Sequence, residues 1–556
     1  WEADIFRLGR ATAPEQRPEL TLGEGTIFKA LSLLDAHLKS LDNSGTMASL
    51  GDSQVNASFK VNNAAMGVMT SANSSTLTVP TWINAGQWIG SQAATNEATV
   101  NWQVNSITNT KTGELASSAV WQVIPIGSAA LNWVNDGKVN SSVALHAKLN
   151  NLTNSGEMVI SLRDSAEQSD WSLSGTLTNK RTGTLFAGGD WGINAAGVSD
   201  ASKRGRQLIN DGTLQGYQDL QLGFQYLTLP KGAEISGALS GAGSLDIGLT
   251  VGLNFDALLY SNHDMLLNFG SNFTVLEDGA FIANGNAAVN LPGRDFINYG
   301  LVYAGGDLSF SSKRLGNFSQ VTVNRSATRL GTSAVDGKTY YEGKQTLVSS
   351  SELRAGGDMS INASEMLVNS ADVRAGGALS ITAPTIVNQV PRLLTFDTTN
   401  PLTNTNDREL NSSQSEQSED GYEYPDNFEY FSRTTAWEEF DYFKDGTPAR
   451  NPIMLAGGGF TLTGQRIYNY GGLIQSTGSS AASVINASVA LVNDALAKDK
   501  ESYNWVEKGE IKYIALGPLT YHDTRWEGDK PSSGTLTNLS AGKAVIETGS
   551  GSLSIT

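Results

Sequence analysis

The chain of 556 residues carries four histidines, His37, His146, His263 and His522, and no cysteine. Zinc and haem sites gather His, Cys or carboxylate ligands at short spacings. No two of these histidines lie close enough along the chain to form such a group, so the sequence predicts neither a metal nor a cofactor. The absence of cysteine excludes thiol chemistry and a disulfide framework. There is no Gly-x-Ser-x-Gly elbow, no Walker loop and no Gly-x-Gly-x-x-Gly after a strand. Gly241-Ala-Gly243 reads as a Gly/Ser-rich corner. Paired carboxylates need more care, because glycosidases and polysaccharide lyases place two or three acids on one exposed face. Asp190, Asp307 and Asp358 each follow an Ala-Gly-Gly triplet. As equivalent positions of a repeat they are expected to stack at successive corners and bond turn backbone, not to converge on a cleft. The sequence predicts no catalytic residue and no enzyme.

Eleven tryptophans offer a second kind of chemistry, stacking against a bound partner. Trp82, Trp88 and Trp133 fill apolar slots of a repeat and read as core. Trp102, Trp121 and Trp171 lie in less regular stretches and are expected at the surface as candidate anchors for a binding partner.

The elements that must position these residues follow from one recurring phrase: apolar, any, Asn, any, Gly, any, apolar. It occurs at Leu41/Asn43/Gly45/Met47, Trp82/Asn84/Gly86/Trp88, Trp133/Asn135/Gly137/Val139, Leu152/Asn154/Gly156/Met158, Leu208/Asn210/Gly212/Leu214, Phe296/Asn298/Gly300/Val302 and Ile467/Asn469/Gly471/Leu473. Glycines at 86, 113, 137, 156, 183 and 212 give steps of 27, 24, 19, 27 and 29 residues. Such a period signals a solenoid. The flanks alternate apolar and polar with period two, as strands do. Asn and Gly accept positive φ most readily, so each phrase predicts a sharp corner. Ala-Gly-Gly supplies a second corner type. The copies Arg354-Ala-Gly-Gly-Asp-Met-Ser-Ile and Arg374-Ala-Gly-Gly-Ala-Leu-Ser-Ile stand 20 residues apart, one full turn. The predicted fold is all-β, a right-handed parallel β-helix with short helical and loop insertions.

Net charge is −17, which argues against nucleic acid as a partner. No run of about 18 apolar residues is present to span a membrane as a helix. The chain starts and stops in mid-repeat and reads as a middle segment of something longer. Three stretches break the pattern. Ile27, Leu31, Leu34, Leu38 and Leu41 follow helical spacing, predicting an amphipathic helix over 26–41. Residues 391–450 hold a polar linker followed by an acidic, aromatic run around Tyr422-Glu-Tyr-Pro-Asp426 and Trp437-Glu-Glu-Phe-Asp-Tyr-Phe443. Ile485, Val489, Val492 and Leu496 suggest another helix over 480–500. The expected organisation is 1–48 as coil and helix, 49–390 as irregular β-helix carrying the receptor face, 391–450 as an extended insertion, and 451–556 as further coils.

The coils, with Arg354-Ala-Gly-Gly-Asp-Met-Ser-Ile-Asn362 as the clearest, resemble filamentous-haemagglutinin repeats of bacterial two-partner secretion exoproteins. The Tyr/Pro-bearing acidic stretch resembles the Tyr/Pro-enriched region of CdiA-type contact-dependent growth inhibition effectors. That resemblance implies a secreted, cell-surface protein of a Gram-negative bacterium, and here its central receptor-binding piece without the toxin. The implied partners are an outer-membrane protein or lipopolysaccharide of a neighbouring cell, and the outer-membrane transporter during export. A haemagglutinin-type adhesin for host glycans or matrix, and a structural spacer, are the other readings that the residues leave open.

Overall fold

Each repeat phrase joins two short strands. Asn151–Asn154 buries Leu152 and Asn154, and Glu157–Ile160 buries Met158 and Ile160, so the apolar slots of the phrase point inward on either side of the corner. A full turn has three strand segments, each pairing in parallel with its counterpart one turn later. Leu115 lies opposite Val139, Trp121 opposite Leu145, and Trp133 opposite Leu152. The chain winds about 17 turns of parallel β-solenoid. Its helix, among the described residues, is limited to three short 3-10 turns. The computed structural model describes all residues except 10–12, 94–96, 162–166, 238, 240–242, 333–338, 392–407, 424–425, 442–449, 479–480, 495–506, 517–518 and 529–543.

Two compact units result. The first comprises Trp1–Leu315 with Glu352–Ser364 and Ala375–Ile381. Its organising feature is a column of buried asparagines. Asn43 donates its side-chain amide to Asn63, and Asn63 to Asn84, at 2.7 and 2.8 Å. The column continues through Asn109, Asn135, Asn154, Asn179 and Asn210 at 2.7–2.9 Å. The second amide proton serves backbone, as in Asn109 to the Lys138 carbonyl at 3.0 Å. Such pairing offsets the cost of burying these amides. Where the column lapses, Phe255 and Val275 occupy the same slot, and the interior fills with Phe269, Phe273, Phe281 and Phe296.

The corners are tight for a reason other than the one predicted. Among the glycines of the phrase, only Gly471 has positive φ. The others lie against the previous turn. A Cβ on Gly86 would sit 2.1 Å from the Gly67 carbonyl oxygen, and one on Gly137 would sit 2.3 Å from that of Gly113. Glycine is required there by close backbone approach.

Both predicted helices are strands. Ile27–Asn43 pairs with Glu2–Leu8 on one side and Asp52–Asn63 on the other. A register shift between Leu38 and Ser40 marks a bulge, which slips the alternation so that Leu38 and Leu41 are both buried three residues apart. That slip imitates helical spacing, whereas Ile27 and Leu31 of the supposed stripe are exposed. Ser483–Asp494 is likewise a strand, paired with Phe460–Tyr470, with Val489 exposed. Leu496 lies outside the described residues.

The second unit comprises Gly316–Ser351, Glu365–Arg374 and Thr382–Thr556. It has its own column, Asn317 to Asn369 to Asn388 to Asn469 to Asn493, at 2.7–2.9 Å. Long segments leave this column and return to it. Gln320–Thr332 and Thr339–Ser349 form an antiparallel hairpin. Arg408–Glu423 and Asp426–Asp441 form a second. A third, Glu507–Leu516 with Leu519–Gly528, pairs onto the second through Ile511–Tyr513 against Asn427–Glu429. Two insertions far apart in sequence thus make one four-stranded antiparallel sheet. The acidic, aromatic run predicted as an extended insertion contributes half of it.

Candidate functional site

The three tryptophans assigned to the surface are in the core. Trp102 and Trp121 are 0% exposed and Trp171 is 2% exposed. Each occupies an inward position of an alternating stretch of strand, Thr99–Asn109, Val120–Ile124 or Ser169–Leu173. Trp82, Trp88, Trp102, Trp121 and Trp133 form one continuous aromatic cluster, with ring centroids as close as 4.1 Å for Trp82 and Trp102. Trp82, Trp88, Trp102 and Trp121 meet edge to face, which sets positive rims against negative faces, and Trp133 meets Trp121 at a tilt. This packing also gives the indole N–H groups of Trp82, Trp102, Trp121 and Trp133, which lack conventional acceptors, an aromatic environment.

The aspartates stack, as expected, but they bond across turns. Asp307 Oδ1 accepts the Asp358 N–H at 2.8 Å, and Asp358 Oδ1 accepts the Ala378 N–H at 2.7 Å. Asp190 accepts from Asp219 N–H in the same manner at 3.1 Å. His37 meets Asp35 at 3.0 Å, and His263 stands 3.5 Å from Asp264. No group of three His or acidic residues suited to a metal occurs among the described residues. The side chain of His522 lies outside them.

One concave site does form, in the first unit, on the outer face of three stacked strands, Val120–Ile124, Leu145–Leu149 and Ser169–Leu173. It is an open groove of about 510 Å³. Strand alternation sends Trp121, Ala147 and Trp171 inward and their neighbours outward. The outward residues fall in two rows. Gln122, His146 and Asp170 make the first, and Ile124, Lys148, Ser172 and Asn194 make the second. Trp171 lies beneath, its indole N–H donating to the Leu145 carbonyl at 2.9 Å. His146 is fixed from both sides: Nδ1 accepts the Asp170 N–H at 3.4 Å and Nε2 lies 3.1 Å from Glu167 Oε1.

The end of the groove is a built wall. After Trp191–Ile193 the chain turns through Asn194, which is left-handed with φ +51°, into the 3-10 turns Ala195–Val198 and Ala201–Lys203. The Asn194 amide bonds the Leu173 N–H and carbonyl, both at 2.9 Å, which holds this uncommon conformation. Arg204 ties the wall down through the Gly197 carbonyl at 2.7 Å and Thr250 Oγ1 at 3.1 Å. Burial pushes its guanidinium pKa down, and Asp200 opposes this. Beneath the wall, Gly223 and Gly248 are paired neighbours. A Cβ on either would approach the wall backbone, to 2.3 Å from the Asn194 carbonyl oxygen and 2.5 Å from that of Gly197. The groove therefore presents hydrogen-bonding and charged groups along two rows, with Lys203 at its wall.

Sequence reasoning missed this site. A signal was present: residues 122, 146 and 170, and 124, 148 and 172, are each 24 apart, the local length of one turn. No protein-family model, curated protein or solved structure matches the chain.

Proposed function

We propose that this chain is a non-catalytic recognition segment of a secreted bacterial exoprotein, of the contact-dependent growth inhibition type, that binds an outer-membrane protein or lipopolysaccharide on a neighbouring Gram-negative cell. The observation that carries the reading lies in the second unit. The Asn column closes over 52 residues from Asn317 to Asn369 and over 81 from Asn388 to Asn469 without losing its bond length. The stack thus serves as a scaffold from which inserted strands are presented, and a passive spacer has no need of them. Binding regions are commonly carried in this way, on segments positioned by a rigid framework.

The test is binding of the labelled chain to intact Gram-negative cells, comparing untreated, protease-shaved and lipopolysaccharide-truncated targets. Saturable binding lost after one treatment supports the reading and identifies the receptor class. Absence of binding to every bacterium tested overturns it in favour of an adhesin for host glycans or a spacer.

A further inference from the structure

We infer that the groove bounded by Gln122, His146, Asp170, Lys148 and Lys203 binds a short acidic oligosaccharide. This rests on the recognition reading above and deepens it by naming a ligand class. Four features lead to it.

The first is size and shape. At about 510 Å³ the groove falls within the range of roughly 300–1,000 Å³ typical of small-ligand sites. It runs across stacked strands, so its side chains recur about every 4.8 Å, on the scale of one ring in a pyranose chain.

The second is charge. Lys148 and Lys203 both line the opening, and neither has a carboxylate within ion-pair distance among the described residues. Two ammonium groups outside any such ion pair on one groove, in a chain of net charge −17, are suited to anionic groups on a ligand.

The third is the company those lysines keep. Asp170 shares the groove and is acceptor-only when ionised. It repels a bare polyanion but accepts hydrogen bonds from hydroxyls. Gln122 and Ser172 add donors and acceptors of the same kind. A ligand satisfying both requirements carries hydroxyls and carboxylates together, as uronic and sialic acid chains do.

The fourth is the wall itself, which takes a left-handed Asn194, a half-buried Arg204 and the surrendered side chains of Gly223 and Gly248 to build. A rigid wall keeps the groove formed before the ligand arrives, which reduces the ordering cost of binding.

The test uses the full chain in calorimetric titrations with trigalacturonate and 3′-sialyllactose. Maltotriose and lactose serve as neutral counterparts, and inorganic phosphate as a bare anion. The expected result is at least about tenfold preference for an acidic over a neutral sugar, with no competition from phosphate. The double variant Lys148→Met/Lys203→Met is expected to lose about ten- to a hundredfold in affinity for the acidic sugar. Asp170→Asn, which removes the repelling charge while keeping an acceptor, is expected to admit phosphate as a competitor. All three positions are exposed, so unchanged melting confirms that each variant is folded. Equal affinity for acidic and neutral sugars, no affinity for either, or an unaffected double variant overturns the inference. Cell binding separates the two levels. If the wild-type chain binds cells and the double variant binds them equally well, the groove assignment fails while recognition stands. If the wild-type chain binds neither cells nor sugars, both fail.

Discussion

Asn388 donates its side-chain amide to Asn469 at 2.8 Å although 81 residues separate them. Both side chains are fully buried. The bond is the same length as that between Asn63 and Asn84, which are 21 residues apart. Position in the stack, and not distance along the chain, decides the pairing. A polar side chain becomes the register mark of an otherwise apolar interior, because any slipped alignment strands a buried amide without its partners.

Removing one member of the column tests this directly. Asn135→Ala leaves the Asn109 amide and the Asn154 carbonyl group facing a void. The expected loss is about 2–4 kcal/mol, since each unsatisfied buried group costs about 1–3 kcal/mol. Urea denaturation checks it, and Asn135→Asp is expected to do no better, because a carboxylate cannot donate.

Glycines of two kinds should respond differently to alanine. Gly137→Ala drives a Cβ to 2.3 Å from two backbone oxygens, those of Gly113 and Thr110. Neither is the end of a flexible side chain, so a loss above about 3 kcal/mol is expected. Gly127 has φ +59° and open space around its Cβ position, so Gly127→Ala is expected to cost only about 1 kcal/mol, from backbone strain. Equal effects in thermal melting would show that close approach is not what selects glycine in the phrase.

Trp102→Ala is predicted to act on stability and not selectively on binding. Trp102 touches Trp82, Trp88 and Trp121 in the core, and truncation of such a residue costs about 3–5 kcal/mol. A variant that melts like wild type but no longer binds cells would contradict its placement in the core.

Two acids set pH limits. Burial, assisted by Tyr468 and Asp494, pushes Tyr470 up to about 12 from a reference of 10.0. Above pH 10 the unfolded chain gives up this proton first, so the contribution is complete below pH 10 and is lost as pH rises toward about 12. Tyr470→Phe is expected to remove that alkaline step from the urea midpoint. Asp246 is likewise raised, chiefly by burial, above 3.8. Its stability contribution is complete below that value and is lost as pH rises through the folded-state pKa, so Asp246→Asn is expected to be the more stable protein at neutral pH.

The solenoid was legible because its signal repeats: corner glycines at regular steps and alternation on both flanks leave few other folds. The core placement of Trp82, Trp88 and Trp133 followed from the same slots. What the asparagines do was not legible, because an Asn at a corner looks alike whether it turns the chain or bonds the next turn, and only stacking tells them apart. Trp102, Trp121 and Trp171 are core residues because they alternate inward on their strands, a period that is legible without any copy of the phrase around the tryptophan itself. The helix over 26–41 was a bulged strand whose apolar spacing had slipped by one. The groove stayed hidden because its residues are unlike one another and share only their interval.

The Asn columns bear on how the protein responds to force. Within the first unit the side-chain amides and the inter-strand backbone bonds both join one turn to the next. Tension along the stack is carried by every junction in series, so the weakest junction yields first and relieves the rest. Each junction that yields frees about two dozen residues, or roughly 80 Å of chain. A chain built this way lengthens in steps and dissipates a sudden pull turn by turn while the remaining turns stay folded.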